Sequence, residues 1–165
     1  MKARWARLAA LALAAGCVQG GIEDPAPEPK VDEAYFRCKV QPVLTKSCAA
    51  FACHGDGQRY FRLYARNRLR DGGTEAERNA LLRDSERAFN FASARAFVDA
   101  VQSDQSLLLL KPLDQVAGGY YHGGAAEFNK GDVYMSRDEA DFKVLVAWIN
   151  GQTEDPSCIE PGSDL

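Results

Sequence analysis

The stretch Cys48-Ala49-Ala50-Phe51-Ala52-Cys53-His54 sets two thiols close together in the chain and a histidine directly after the second. That order suits covalent haem attachment, in which two cysteines form thioethers with the vinyl groups and the next residue's imidazole ligates the iron. The usual spacing is C-x-x-C-H; here four residues separate the cysteines, so the connecting loop must bulge. Gly55-Asp56-Gly57 follows, and glycine lets a backbone turn tightly beside a flat group. The same residues admit two other readings. One is a structural Cys48–Cys53 disulfide beside an ordinary surface histidine. The other is a zinc site, for which the chain lacks a second Cys/His pair at ligand spacing.

Upstream, residues 31–46 carry Ala34, Tyr35, Val40, Val43 and Leu44 at positions that predict a helix facing a core, with Asp32 and Glu33 favourable near its N-terminus. Pro42 should kink that helix or start a new turn. Before it, residues 20–30 hold Glu23, Asp24 and prolines at 25, 27 and 29, which reads as an extended tether. Lys2, Arg4 and Arg7, the apolar run Leu8 to Ala15, Gly16 and Cys17 follow the charged, apolar, small order of a secretory signal over residues 1–16. The apolar run is too short to span a bilayer. Leu13-Ala14-Ala15-Gly16-Cys17 resembles the bacterial lipobox, which implies a lipidated Cys17 and attachment to a membrane surface through acyl chains. Removing residues 1–16 takes away three basic and no acidic residues and moves the formal charge from −3 to −6. An acidic domain argues against nucleic acid as a partner.

Downstream, Arg59 to Arg70 interleaves five arginines with Tyr60, Phe61, Leu63, Tyr64 and Leu69. Either this is a solvated face with its aromatics turned inward, or an arginine pairs with haem propionates or an acidic redox partner. Residues 74–98 predict a long helix, opened by a Thr74/Glu77 capping box and carrying Ala80, Leu81, Ala88, Phe91, Ala92 and Val98 on one face. Ser106 to Lys111, stopped by Pro112, is a buried turn of helix or a strand. Gly118-Gly119-Tyr120-Tyr121-His122-Gly123-Gly124 describes a loop or a backbone passing close to something. The chain has two histidines, so if His54 holds iron, His122 is the first candidate for the opposite face and Met135 the second. A third possibility is an open face. Residues 136–150 predict a last helix, with a Ser136/Glu139 capping box, a stripe of Phe142, Leu145, Val146, Trp148 and Ile149, and Gly151 as its stop. Four cysteines beyond Cys17 allow three pairings. If Cys48 and Cys53 carry haem, Cys38 and Cys158 remain, and their disulfide would close a loop of about 120 residues.

Taken in order, Val40-Gln41-Pro42-Val43-Leu44, Cys48 to Gly55 and Trp148-Ile149-Asn150-Gly151 resemble the segments that open, centre and close c-type cytochrome domains of secreted bacterial proteins. Ser106 to Pro112 followed by His122-Gly123-Gly124 is similar to a subgroup related to those fused to planctomycete enzymes. The resemblance covers about residues 35–151. The Met-Pro-Pro segment that supplies a distal methionine in many such cytochromes is missing, and Met135-Ser136 stands in its place. The resemblance implies a mostly α, small single-domain cytochrome c-like helical fold with long loops over residues 31–165. It also implies one haem c, His54 as proximal ligand, and electron transfer with redox partner proteins in the periplasm or at the outer membrane, not catalysis. Two alternatives stay open: a haem-free, disulfide-stabilised lipoprotein acting as a binding or assembly module, and a haem sensor or enzyme with an open distal site.

Overall fold

The computed structural model describes residues 26–123, 131–158 and 161. The signal, Cys17 and most of the tether lie outside the described residues. Within them the chain is mostly helical, and its only strand-like feature is an isolated bridge between Leu113 and Tyr134.

The first helix, α1, runs from residue 33 to 47 in three joined parts: Glu33–Tyr35 (α), Phe36–Val40 (π) and Gln41–Ser47 (α). Asp32 caps it, its side chain accepting from the Tyr35 N–H at 2.6 Å. The π part sits where Pro42 dictates. A proline there cannot donate to the Cys38 carbonyl one turn back, and the chain widens its turn so that the Gln41 N–H donates to the Phe36 carbonyl instead. Of the two outcomes expected at Pro42, a kink or a new turn, the chain starts a new α segment at Gln41 after this wide turn, which buries Phe36, Cys38 and Val40.

The expected long helix over 74–98 is broken in two. A single turn, α2 (Glu75–Arg78), is followed by α3 (Asp84–Arg95). The cause lies at Arg70. Its guanidinium donates to the backbone carbonyls of Glu77, Arg78, Ala80 and Leu81 and forms a two-pronged pair with Glu86, at 2.9 and 2.8 Å. Turning these four carbonyls toward one cation takes them out of the helical direction, so the chain turns at 79–83 and Leu81 is left exposed. The Thr74/Glu77 capping box does form, at the head of α2.

The leucine run forms a turn of helix, α4 (Leu107–Leu110), with Leu108, Leu109 and Leu110 buried. The last helix, α5 (Ala140–Ile149), begins four residues later than the sequence predicts. Glu139 does reach back, accepting from the N–H groups of Met135 and Ser136, but it closes a turn there and leaves α5 to start after itself. Gly151, with φ of 83°, ends α5 as predicted.

The core lies where α1, α3 and α5 meet. Phe36 packs on Trp148 at 5.2 Å and edge-on to Phe91 at 5.4 Å, and the Trp148 indole N–H donates to the Asp32 carbonyl at 2.8 Å. Cys38 and Cys158 form a disulfide with 6.4 Å between their Cα atoms, tying the tail after α5 to the π turn of α1. Bridging 120 residues, it removes about 4 to 5 kcal/mol of freedom from the unfolded chain in the chain-entropy account.

Candidate functional site

Residues 48–73 contain no helix and are shaped by individual hydrogen bonds. Asn90, fully buried on α3, pairs with both backbone groups of Tyr64: its Oδ1 accepts from the Tyr64 N–H and its Nδ2 donates to the Tyr64 carbonyl, each at 2.8 Å. Arg68 reaches the Thr45 carbonyl at 2.6 Å, and Arg62 lies 4.7 Å above the Phe89 ring. The arginine-rich run is thus neither a solvated face nor one with all its aromatics inward. Arg70 is nearly enclosed, while Tyr60 is 99% exposed.

The loop holding the two thiols does bulge. The N–H groups of Cys53 and Gly55 both donate to the Ala50 carbonyl, at 2.9 and 2.8 Å, and the His54 N–H donates to the Cys48 carbonyl at 3.1 Å. Gly55 is required for this knot, since a Cβ there would sit 2.2 Å from the Ala49 oxygen. Cys48 and Cys53 are both free thiols, so the Cys48–Cys53 disulfide of the alternative reading is not formed. Burial pushes the Cys48 thiol up to about 12, neighbouring Cys53 adds to this, and Arg68 opposes it. At neutral pH it stays a thiol.

His54 is fixed by its Nδ1, which donates to the Phe61 carbonyl at 2.7 Å. That bond sets the tautomer and leaves Nε2 as a lone-pair donor, the outer-partner arrangement usual for a metal-ligating histidine. Burial lowers the His54 pKa, the Phe61 bond opposes this, and His122 and Arg59 lower it further. The imidazole is therefore neutral at pH 7.

His122 reaches the same place from the glycine-rich loop. At Gly119 the backbone runs against Leu113, where a Cβ would sit 1.8 Å from the Leu113 oxygen, while a Cβ on Gly123 would meet nothing within 4 Å. The expected close approach is thus at Gly119. From there the Tyr120 N–H donates to the Leu110 carbonyl at 2.7 Å and the chain delivers His122 beside His54. The two imidazoles lie 5.9 Å apart between ring centroids, with planes 11° from parallel. Two imidazoles that share one metal, each through a nitrogen at about 2 Å, place their centroids about 5 to 6 Å apart according to the angle between them, so the observed spacing lies in the range for a shared ion. Burial also lowers the His122 pKa, with Asp132 opposing and Lys111 contributing to the lowering.

Both histidines line a cavity of about 340 Å³, within the range of small-molecule and cofactor pockets. Its walls are mainly apolar, with Leu44, Phe61, Phe97, Leu108 and Leu145 among them, and Cys48 lines it too. Cys53 and Met135 do not line it; Cys53 is half-buried in the neighbouring bulge and Met135 is 59% exposed. Among the described residues no three His, Cys, Asp or Glu side chains gather as a metal cage, so the imidazoles stand as a pair.

Sequence reasoning missed two contributors, Phe61 as the partner of His54 and Lys111 in the cavity wall, and it marked a close approach among the glycines around His122 without singling out Gly119. Comparison with protein-family models, curated proteins and solved structures returns no match.

Proposed function

We propose that the protein is a one-electron carrier with a single covalently bound haem c, held by Cys48 and Cys53 and ligated by His54 and His122. The observation that carries this reading is the pair of near-parallel imidazoles, 5.9 Å apart in one apolar cavity that Cys48 also lines. Among the described residues no third His, Cys, Asp or Glu joins them as a metal cage, so His54 and His122 would serve as a pair of ligands to a haem iron. When bound, the group supplies the reversible one-electron change at iron.

The chain's residues do the rest. Cys48 and Cys53 would hold the group to the chain through thioethers, each S–H adding across one vinyl C=C with nothing lost. The Phe61 carbonyl holds His54 in the ligating tautomer. Leu44, Leu108, Leu145 and Phe97 keep water from the iron and disfavour its higher charge state. His122 as distal ligand gives a lower potential than Met135 would, since methionine raises it. Export by residues 1–16 and lipidation at Cys17 would place this carrier at a membrane facing the periplasm, with redox proteins and no nucleic acid as partners.

The test is spectroscopic, on protein made with a c-type haem maturation system. The wild type is expected to be low-spin in both oxidation states. His122→Ala is expected to turn high-spin while keeping its colour through denaturation, and Met135→Leu to leave the spectrum unchanged. A low-spin His122→Ala variant would remove His122 from the ligand set.

A further inference from the structure

The cavity wall contains a cation that the haem reading leaves without a role. Lys111 follows α4, and its Nζ donates to the Tyr121 carbonyl at 3.0 Å, the peptide oxygen immediately before His122. One residue earlier on both sides, the Tyr120 N–H donates to the Leu110 carbonyl. Two consecutive residues at the end of α4 therefore grip two consecutive residues of the loop carrying His122. The Lys111 side chain itself is exposed, but the backbone on the gripping side is firm, since Leu109 and Leu110 are each 2% exposed and Pro112 is buried. The gripped side is not: Tyr120 and Tyr121 are exposed, and the space around Gly123 is open.

We propose that Lys111 is a positioning residue for the distal ligand. By holding the Tyr121 carbonyl, it keeps the His122 imidazole at the cavity and sets how readily an external ligand displaces it. The proposal rests on the haem reading. A lysine in this wall has one competing role, pairing with carboxylates at the edge of the cofactor, which would shift the reduction potential and leave displacement of His122 unchanged.

The experiment uses full-length, haem-loaded ferric protein mixed with cyanide, followed at the Soret band, for the wild type, Lys111→Met and Lys111→Arg. Methionine keeps the apolar stem in the wall and removes the donor. Cyanide is expected to displace His122 faster in Lys111→Met by roughly threefold to tenfold, the scale of one ordinary solvent-exposed hydrogen bond. Lys111→Arg, which can still reach the carbonyl, is expected to return the rate to near that of the wild type. A Lys111→Met rate equal to wild type overturns the proposal, whether or not the reduction potential moves. Colour is checked before mixing. Wild-type protein without covalent haem would overturn the haem reading and this proposal with it, whereas coloured protein with an unchanged rate overturns this proposal alone.

Discussion

Glu86 has no exposed surface, yet it is ionised. Burial opposes its charge, but Arg70 and the N–H groups of Asp71 and Arg83 outweigh that cost and hold its pKa down at about 2, against 4.5 for a free glutamate. Because the folded state lowers this pKa, the stabilisation is complete above about pH 4.5 and is lost as pH falls towards 2. Acid unfolding of the wild type should therefore steepen in that window, and Glu86→Gln should flatten it. At neutral pH, Glu86→Gln should cost about 3 to 5 kcal/mol, because Arg70 would be left enclosed without its counter-charge. Urea titrations at pH 7 and pH 3.5 check both outcomes; equal losses at the two pH values would contradict the assignment. Gly55 makes the second prediction at this scale. Gly55→Ala should break the bulge around Ala50 and reduce the fraction of chains that acquire haem, measured as the ratio of haem to protein. Gly55 is legible in the sequence as a turn residue. The Arg70–Glu86 pair was not, since the residues are 16 apart and five arginines offered the same chemistry.

Helices whose ends are set locally were readable from the sequence. The start of α1, expected at 31 with acidic Asp32 and Glu33 near it and found at Glu33 behind an Asp32 cap, and the stop of α5 at Gly151 each depend on one residue and its neighbours. The break between α2 and α3 depends on Arg70 from outside the segment, so the apolar spacing of residues 74–98 alone indicates one helix. The loop of His122 falls between these cases. Its glycines mark a close approach, but only the packing on Leu113 picks out which glycine makes it. Gly119→Ala should push the loop off Leu113, draw His122 from the cavity and raise the high-spin fraction of the loaded protein. Gly123→Ala, into open space, should leave the spectrum as it is. Equal effects at the two positions would mean that the loop's course does not place His122.

Across the whole molecule, the disulfide and the cavity lie on the same scaffold. Cys38 in the π turn of α1 is tied to Cys158, while Leu44 from the end of α1 and Leu145 from α5 line the cavity. Replacing both Cys38 and Cys158 by alanine should lower stability by about 4 to 5 kcal/mol, read from the urea midpoint in non-reducing buffer. In protein made without haem, alkylation before reduction should label Cys53 readily and Cys48 slowly, because Cys48 is buried and holds its proton until about pH 12. The pairing of Cys38 with Cys158 could be reached from the sequence only by first giving Cys48 and Cys53 to a cofactor. The structure forms that disulfide and leaves the other two thiols free. The measurement that tests the central claim most directly is the visible spectrum and intact mass of the mature protein, produced with a c-type haem maturation system and then unfolded. One haem per chain, retained through denaturation and lost from a Cys48→Ala/Cys53→Ala variant, is the expected result. A colourless chain of unmodified mass, with a control cytochrome matured in the same cells, would contradict it.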